Sequence, residues 1–148
     1  MNRIVALIAI VLSCFAAACS ATNERSVPRI LRGAHAGGGW WGACPPSSEA
    51  EAEFRRTARQ LAISPELNSR LESSFPRGSP EQTLIESLGS QGFALSDHCK
   101  SDSTIRIATF HSPGRGFLAY ATDAQVYWQA DAKGRIVWTK GFVAYRGL

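Results

Sequence analysis

The stretch QVYWQADAKGRIVW, Gln125 to Trp138, decides the fold of this 148-residue chain. Gln125–Ala130 alternates, with Val126 and Trp128 on one face, the period of a strand with one buried side. Asp131-Ala132-Lys133-Gly134 reads as a hairpin loop in which Gly134 supplies a positive φ. Arg135–Tyr145 returns as the partner strand, with Gly141 as its bulge. Across the loop, Trp128 and Trp138 are expected as neighbours on one face.

Alternation continues upstream. Thr104–His111 carries Ile105 and Ile107 on one side. Phe117–Thr122 follows the turn Ser112-Pro113-Gly114-Arg115-Gly116, and Phe93–Leu95 forms a short first strand. Before Gly92 the period is helical. Ser48 and Glu51 match a capping box, and Phe54, Ala58, Leu61 and Ala62 share one face, which predicts a helix over Glu49–Ala62. Pro65 opens a second helix to Ser74 with Leu67, Leu71 and Phe75 inward. Ser79 and Gln82 form another capping box and predict a third helix, Pro80–Gln91, with Leu84, Ile85 and Leu88 facing the core. Gly92 is its left-handed cap, with Phe93 as the apolar contact beyond it. The fold class is therefore α+β: two or three N-terminal helices packed on a C-terminal antiparallel β-meander of three to five strands. Residues 48–148 form this single domain, and no internal repeat interrupts it.

The opening residues, MNRIVALIAIVLSCFAAACSA, have a different character. Arg3 gives a positive start, Ile4–Ala18 is an uncharged and mostly apolar run, and small residues follow. These are the three parts of a secretory signal over residues 1–20. The run is shorter than the roughly 20 apolar residues of a spanning helix, so no membrane span is expected in the mature chain. Ala16-Ala17-Ala18-Cys19 resembles a lipobox, the short motif before a lipidated bacterial cysteine, although the family pattern prefers Leu where Ala16 stands. Ordinary signal-peptidase cleavage before Ala21 is the competing reading, and gives a soluble periplasmic or secreted protein. With Cys19 acylated, several chains would anchor the protein stably. Ser20 after the cysteine, in place of an Asp, directs it by the same resemblance to the outer membrane, facing the periplasm.

Four cysteines are present. Cys14 leaves with the signal and Cys19 is the lipidation candidate. Cys44 and Cys99 remain as an even pair in an oxidising compartment, which predicts one disulfide. Residues 21–47 read as a Gly/Pro-rich tether containing Gly37-Gly38-Gly39 and Pro45-Pro46. Trp40 and Trp41 near its end either pack on the sheet or lie in the membrane interface.

About 130 residues remain after the signal, enough for one domain with a real core. The net charge of +4 is scattered, with Arg25, Arg29 and Arg32 in the tether and Arg55, Arg56 and Arg59 on a predicted helix. That is not the basic face that nucleic acid requires, and an exported protein rarely meets nucleic acid. No Walker or Rossmann glycine pattern occurs, and no cofactor is implied. Asp97-His98-Cys99, with His111, could be thought of as metal ligands, but zinc ligands come in spaced pairs and a disulfide cysteine is the simpler reading. Hydrolase chemistry needs a nucleophile, a base and an oxyanion donor. The chain has no G-x-S-x-G or S-x-x-K pattern, and nothing in it joins His98 or His111 to a serine. Carboxylate pairs for glycan cleavage would be Asp97 with Asp123 or Glu81 with Glu86, and the latter two do not share a helix face.

GSPEQTLIESLG (residues 78–89) and the late hairpin VYWQADAKGRIVW (residues 126–138) resemble the small SmpA/OmlA-type outer-membrane lipoproteins. The likeness covers about half the chain. It implies an α+β fold related to β-lactamase-inhibitor protein and an accessory place in β-barrel assembly. The expected function is that of an exported cell-envelope lipoprotein, a non-catalytic binding or accessory module with a lipid anchor in the membrane and a protein partner in the envelope. Trp40, Trp41, Trp128 and Trp138 are its candidate contact aromatics, rimmed by Tyr120, Tyr127 and Tyr145. Its rivals are a periplasmic inhibitor or immunity protein against a secreted toxin, and a small envelope hydrolase using His98 or His111.

Overall fold

The computed structural model describes residues 27–38, 42–45, 62–96, 98–113 and 121–146. The protein is α+β. Two helices, α1 (Pro65–Ser74) and α2 (Glu81–Ser90), precede four strands, β1 (Ala94–Ser96), β2 (Ile105–Ser112), β3 (Ala121–Ala130) and β4 (Ile136–Arg146). The strands pair in the order β1-β2-β3-β4, each antiparallel to the next. The predicted helix over Glu49–Ala62 lies outside the described residues, apart from its last position.

α1 begins at Pro65, whose missing N–H costs nothing in a first turn, with Glu66 set favourably against the helix dipole. α2 begins at Glu81 after Pro80 and carries no side-chain cap. The capping box expected from Ser79 and Gln82 is therefore not made. Ser79 is engaged through its backbone, its carbonyl accepting the Ile136 N–H at 2.9 Å, while Gln82 donates to Glu86 one turn on at 3.0 Å. α2 ends as expected. Gly92 sits at φ 87°, the Phe93 N–H reaches the Leu88 carbonyl at 3.0 Å, and the Phe93 ring meets Phe110 at 5.4 Å between centroids.

The region read as two strands, Phe117–Thr122 and Gln125–Ala130, is one strand from Ala121 onward, with residues 117–120 outside the description. Asp123 does not interrupt it, because its carboxylate meets His111 directly across β2 at 2.6 Å. The bulge is also displaced from its expected place. Gly141 pairs regularly with Val126, whereas Gln129 faces Trp138 and Ala130 faces Ile136, so Val137 is the inserted residue. One inserted residue turns every later side chain to the opposite face. Trp128 consequently shares a face with Thr139, and Trp138 shares the other with Gln129. The two tryptophans are not neighbours on one face.

Each side of the sheet has its own core. Ala108, Phe110, Ala124, Val126, Trp128 and Val143 belong to one buried cluster with Leu67 and Leu71 of α1 and Leu84 and Leu88 of α2. Tyr127, Phe142 and Ile105 form a second cluster with Ala62 and Cys99, against which Trp138 and Cys44 pack. Gly141 permits a close approach: a Cβ there would collide with the Leu67 side chain and come within 3.0 Å of Leu71 Cδ1.

Composition assigned residues 21–47 to a tether, but Ile30, Leu31 and Ala34 are buried in the first cluster. A single 3-10 turn, Arg29–Leu31, presents them together. Gln91 accepts the Ile30 N–H, Arg70 donates to the Ile30 carbonyl, and the Tyr145 hydroxyl donates to the Ala34 carbonyl. The ordered fold thus includes residues well before Ser48.

Candidate functional site

Cys44 and Cys99 form the expected disulfide, with Cα atoms 5.4 Å apart and a sequence separation of 55. It fixes residues 42–45 beside the second cluster. There Gly42, at φ 65°, packs so closely on the Tyr127 ring that no side chain fits. The Ser101 hydroxyl adds a hydrogen bond to the Pro45 carbonyl at 2.7 Å. Cys19, Trp40, Trp41, Asp97 and Tyr120 lie outside the described residues.

Trp128 is wholly buried. Its indole N–H donates to Glu81 Oε1 at 2.6 Å, and Arg106 approaches the same oxygen at 3.1 Å. A buried indole needs such an acceptor, so Trp128 is a core residue of α2 and β3 and takes no part in a surface patch. Trp138 is half-buried on the opposite face, its indole N–H donating to Gln129 Oε1 at 2.9 Å. Tyr127 is buried in the second cluster, on the Trp138 face, and burial pushes its hydroxyl above the usual tyrosine range. Tyr145 keeps an exposed ring.

The titratable groups singled out in the sequence that lie among the described residues do not converge. His111 Nδ1 and Asp123 Oδ1 form a cross-strand pair, with the histidine side chain more than half exposed. Among the described residues no serine, threonine or cysteine side chain hydrogen-bonds His111. His98 is exposed elsewhere. Glu81 is buried in α2, whereas Glu86 is exposed and bonded to Gln82. No three His, Cys, Asp or Glu residues cluster as a metal site among the described residues.

A groove that the sequence did not announce runs along the outer edge of β4. It encloses about 430 Å³ between Glu72, Phe75, Pro76 and Arg77 at the end of α1 and the stretch Ile136–Lys140. The chain pairs with this edge twice. The Ser64 N–H donates to the Gly141 carbonyl at 2.9 Å, and Gly78 and Ser79 exchange backbone bonds with Ile136 at 2.8 and 2.9 Å. Between those two anchors the described residues make no further backbone hydrogen bond to this edge. Since the Gly141 carbonyl points outward, Thr139, two residues before it in an unbroken register, also turns its N–H and carbonyl outward into the groove. Neither group has an outward partner among the described residues. Arg77 and Lys140 stand at this groove with no hydrogen bond or ion pair among the described residues, and Glu72 accepts from Asn68 at 2.7 Å. The only sequence signal for the groove was Pro76-Arg77-Gly78, read as a helix stop.

Comparison of the chain with protein-family models, with curated proteins and with solved structures finds no match. No helix among the described residues is long and apolar enough to cross a membrane.

Proposed function

We propose that the chain is a small exported cell-envelope lipoprotein, anchored through Cys19 in the outer membrane and facing the periplasm, that works by binding a protein partner. The observation that carries this reading is the disulfide between the two cysteines that remain once an export signal and an acylated Cys19 are set aside. Protein disulfides persist where thiols are not kept reduced, which fits an envelope compartment. The likeness of residues 78–89 and 126–138 to SmpA/OmlA-type lipoproteins points to the same setting and to an accessory role there.

In this reading, α1 and α2 cover one face of the meander, as the joint core of Leu67, Leu84, Val126 and Trp128 supports. The β4 edge and the neighbouring face around Trp138 are left for the partner. The test is metabolic labelling with radioactive palmitate, followed by envelope fractionation. Label in the wild-type chain, lost together with membrane association in Cys19→Ala, is the expected result. A membrane-bound Cys19→Ala chain in cells where the wild type never incorporates label would overturn the anchor.

A further inference from the structure

We infer that the groove on the β4 edge captures the free C-terminal end of a partner polypeptide. This deepens the binding role proposed above and rests on it for its cellular setting, though not for its chemistry.

Three features define the occupant. The first is the backbone. Thr139 is buried, with only 5% of its surface exposed, yet its N–H and carbonyl turn into the groove without a partner among the described residues. Buried backbone polar groups are nearly always paired, so a ligand offering a backbone carbonyl and N–H is what this position lacks. Such pairing is the way extended peptides add to open sheet edges.

The second is length. A strand passing along β4 would collide with Ser64 at Gly141 and with Ser79 at Ile136, since the chain itself occupies that lane at both ends. At about 3.4 Å per residue, the gap between these anchors admits only some two or three residues in extended form. A continuous segment cannot pass through so short an opening, whereas a chain end can enter it.

The third is charge. Arg77 and Lys140 stand at the groove without partners among the described residues, and Glu72, the one acid lining it among the described residues, is already bonded to Asn68. A chain end meeting two cations is suited when it is the carboxylate end, and an amino terminus is disfavoured. Phe75 and Ile136 beneath the groove, with Trp138 beside it, offer an apolar seat for the last side chain. The partner is therefore a protein whose C-terminus is free, extended and closed by a large apolar residue.

The experiment uses the full chain as purified from cells in detergent, labelled with ¹⁵N. The probes are acetyl-Gly-Gly-Ala-X peptides, with X each of the twenty amino acids, as free acids and as carboxamides. Free acids ending in a large apolar residue should move the Thr139 amide and the Trp138 indole resonances. Their carboxamides should bind about tenfold more weakly, the loss expected for a charge-assisted contact. The Arg77→Gln/Lys140→Gln variant should lose a similar factor for the acids and nothing for the amides, with an unchanged melting temperature. The inference is overturned if no peptide moves the Thr139 amide at about 1 mM, if acids and amides bind alike, or if the shifts centre on His111 and Asp123. Capture of acids by a chain that carries no palmitate would retain this inference and remove the envelope setting, so the two failures are distinguishable.

Discussion

Gly141→Ala tests how closely α1 is set against the sheet, and its effect should change sign with a single second substitution. In the wild-type background the new methyl group collides with Leu67 and crowds Leu71 Cδ1 at 3.0 Å. Both leucines are fully buried, so neither can swing into solvent. Overpacking of this kind costs about 1–3 kcal/mol. Against it, replacing glycine in a strand relieves unfolded-chain entropy and recovers about 0.4–1 kcal/mol. The steric cost wins, and the variant should be destabilised by roughly 0.5–2 kcal/mol on those figures. Leu67→Ala alone should cost about 2–5 kcal/mol, because it leaves a cavity beneath β4. In that background the methyl at position 141 meets only Leu71 Cδ1, at 3.0 Å, and Leu71 can yield into the space Leu67 vacates, so the entropic gain outweighs the steric cost. Gly141→Ala should then stabilise the protein. Urea unfolding of the wild type, both single variants and the double variant gives the coupling energy, expected at about 1–3 kcal/mol and favourable. Strictly additive costs, or a neutral Gly141→Ala, would refute the placement of Leu67 against this position.

Three other outcomes are expected. Removing the disulfide by Cys44→Ala/Cys99→Ala releases the loop of 55 residues, which the chain-entropy account values at no more than about 4 kcal/mol, read as a lower melting temperature that no longer responds to reductant. Glu81→Ala strands the buried Trp128 indole N–H and should cost about 1–3 kcal/mol, whereas Glu81→Gln keeps an acceptor and should cost less; the Arg106 ion pair adds little because its side chain is 46% exposed. The Glu66 carboxyl is held from its ordinary 4.5 down to about 2, first by the His35 backbone N–H and then by the His35 ring. A depressed carboxylate contributes its stabilisation above the unfolded value and loses it as pH falls through the folded one. The stability this tie contributes should therefore be lost as pH falls from about 4.5 to about 2, and the His35 amide resonance of the folded protein should titrate with a midpoint at about 2. A Glu66 midpoint near 4.5 would refute it.

The elements were legible where local chemistry alone decides them. Pro65 marked the start of α1, Gly92 and Phe93 marked the end of α2, and Asp131 with Gly134 marked the last hairpin. In that hairpin the Asp131 carboxylate accepts the Lys133 and Arg135 N–H groups at 2.8 and 2.9 Å. The disulfide followed from counting. What local chemistry could not supply was anything set by contacts distant in sequence. Ile30, Leu31 and Ala34 looked like tether residues because their partners lie in α1, α2 and β4. The strand read as ending at Thr122 runs on through Asp123, because that residue pairs with a histidine twelve positions away. The Ser79 capping box failed for the same reason, its backbone being claimed by Ile136.

The candidate site was the least legible part, and Val137 explains why. An unbulged hairpin would set Trp138 opposite Trp128, in the same core, with Thr139 on the other face. Inserting Val137 sends Trp138 to the face opposite Trp128 and brings Thr139 onto the Trp128 face, where it is 5% exposed. The same shift decides which backbone groups of β4 turn away from β3, and hence that Thr139 presents its N–H and carbonyl between the two anchors at Ile136 and Gly141. A bulge depends on pairing and leaves no fixed residue pattern behind. Deleting Val137 should remove the bulge and leave Trp138 opposite Gln129 and Thr139 opposite Trp128, so Trp138 keeps its place outside the first core and the outward groups of Thr139 are retained. The measurable sign is a Trp138 indole that still bonds Gln129 and keeps its wild-type rate of hydrogen exchange. If the deletion variant folds with its Trp138 indole released from Gln129 and enclosed in the first core, Val137 is not the inserted residue and the register assigned to β4 is wrong.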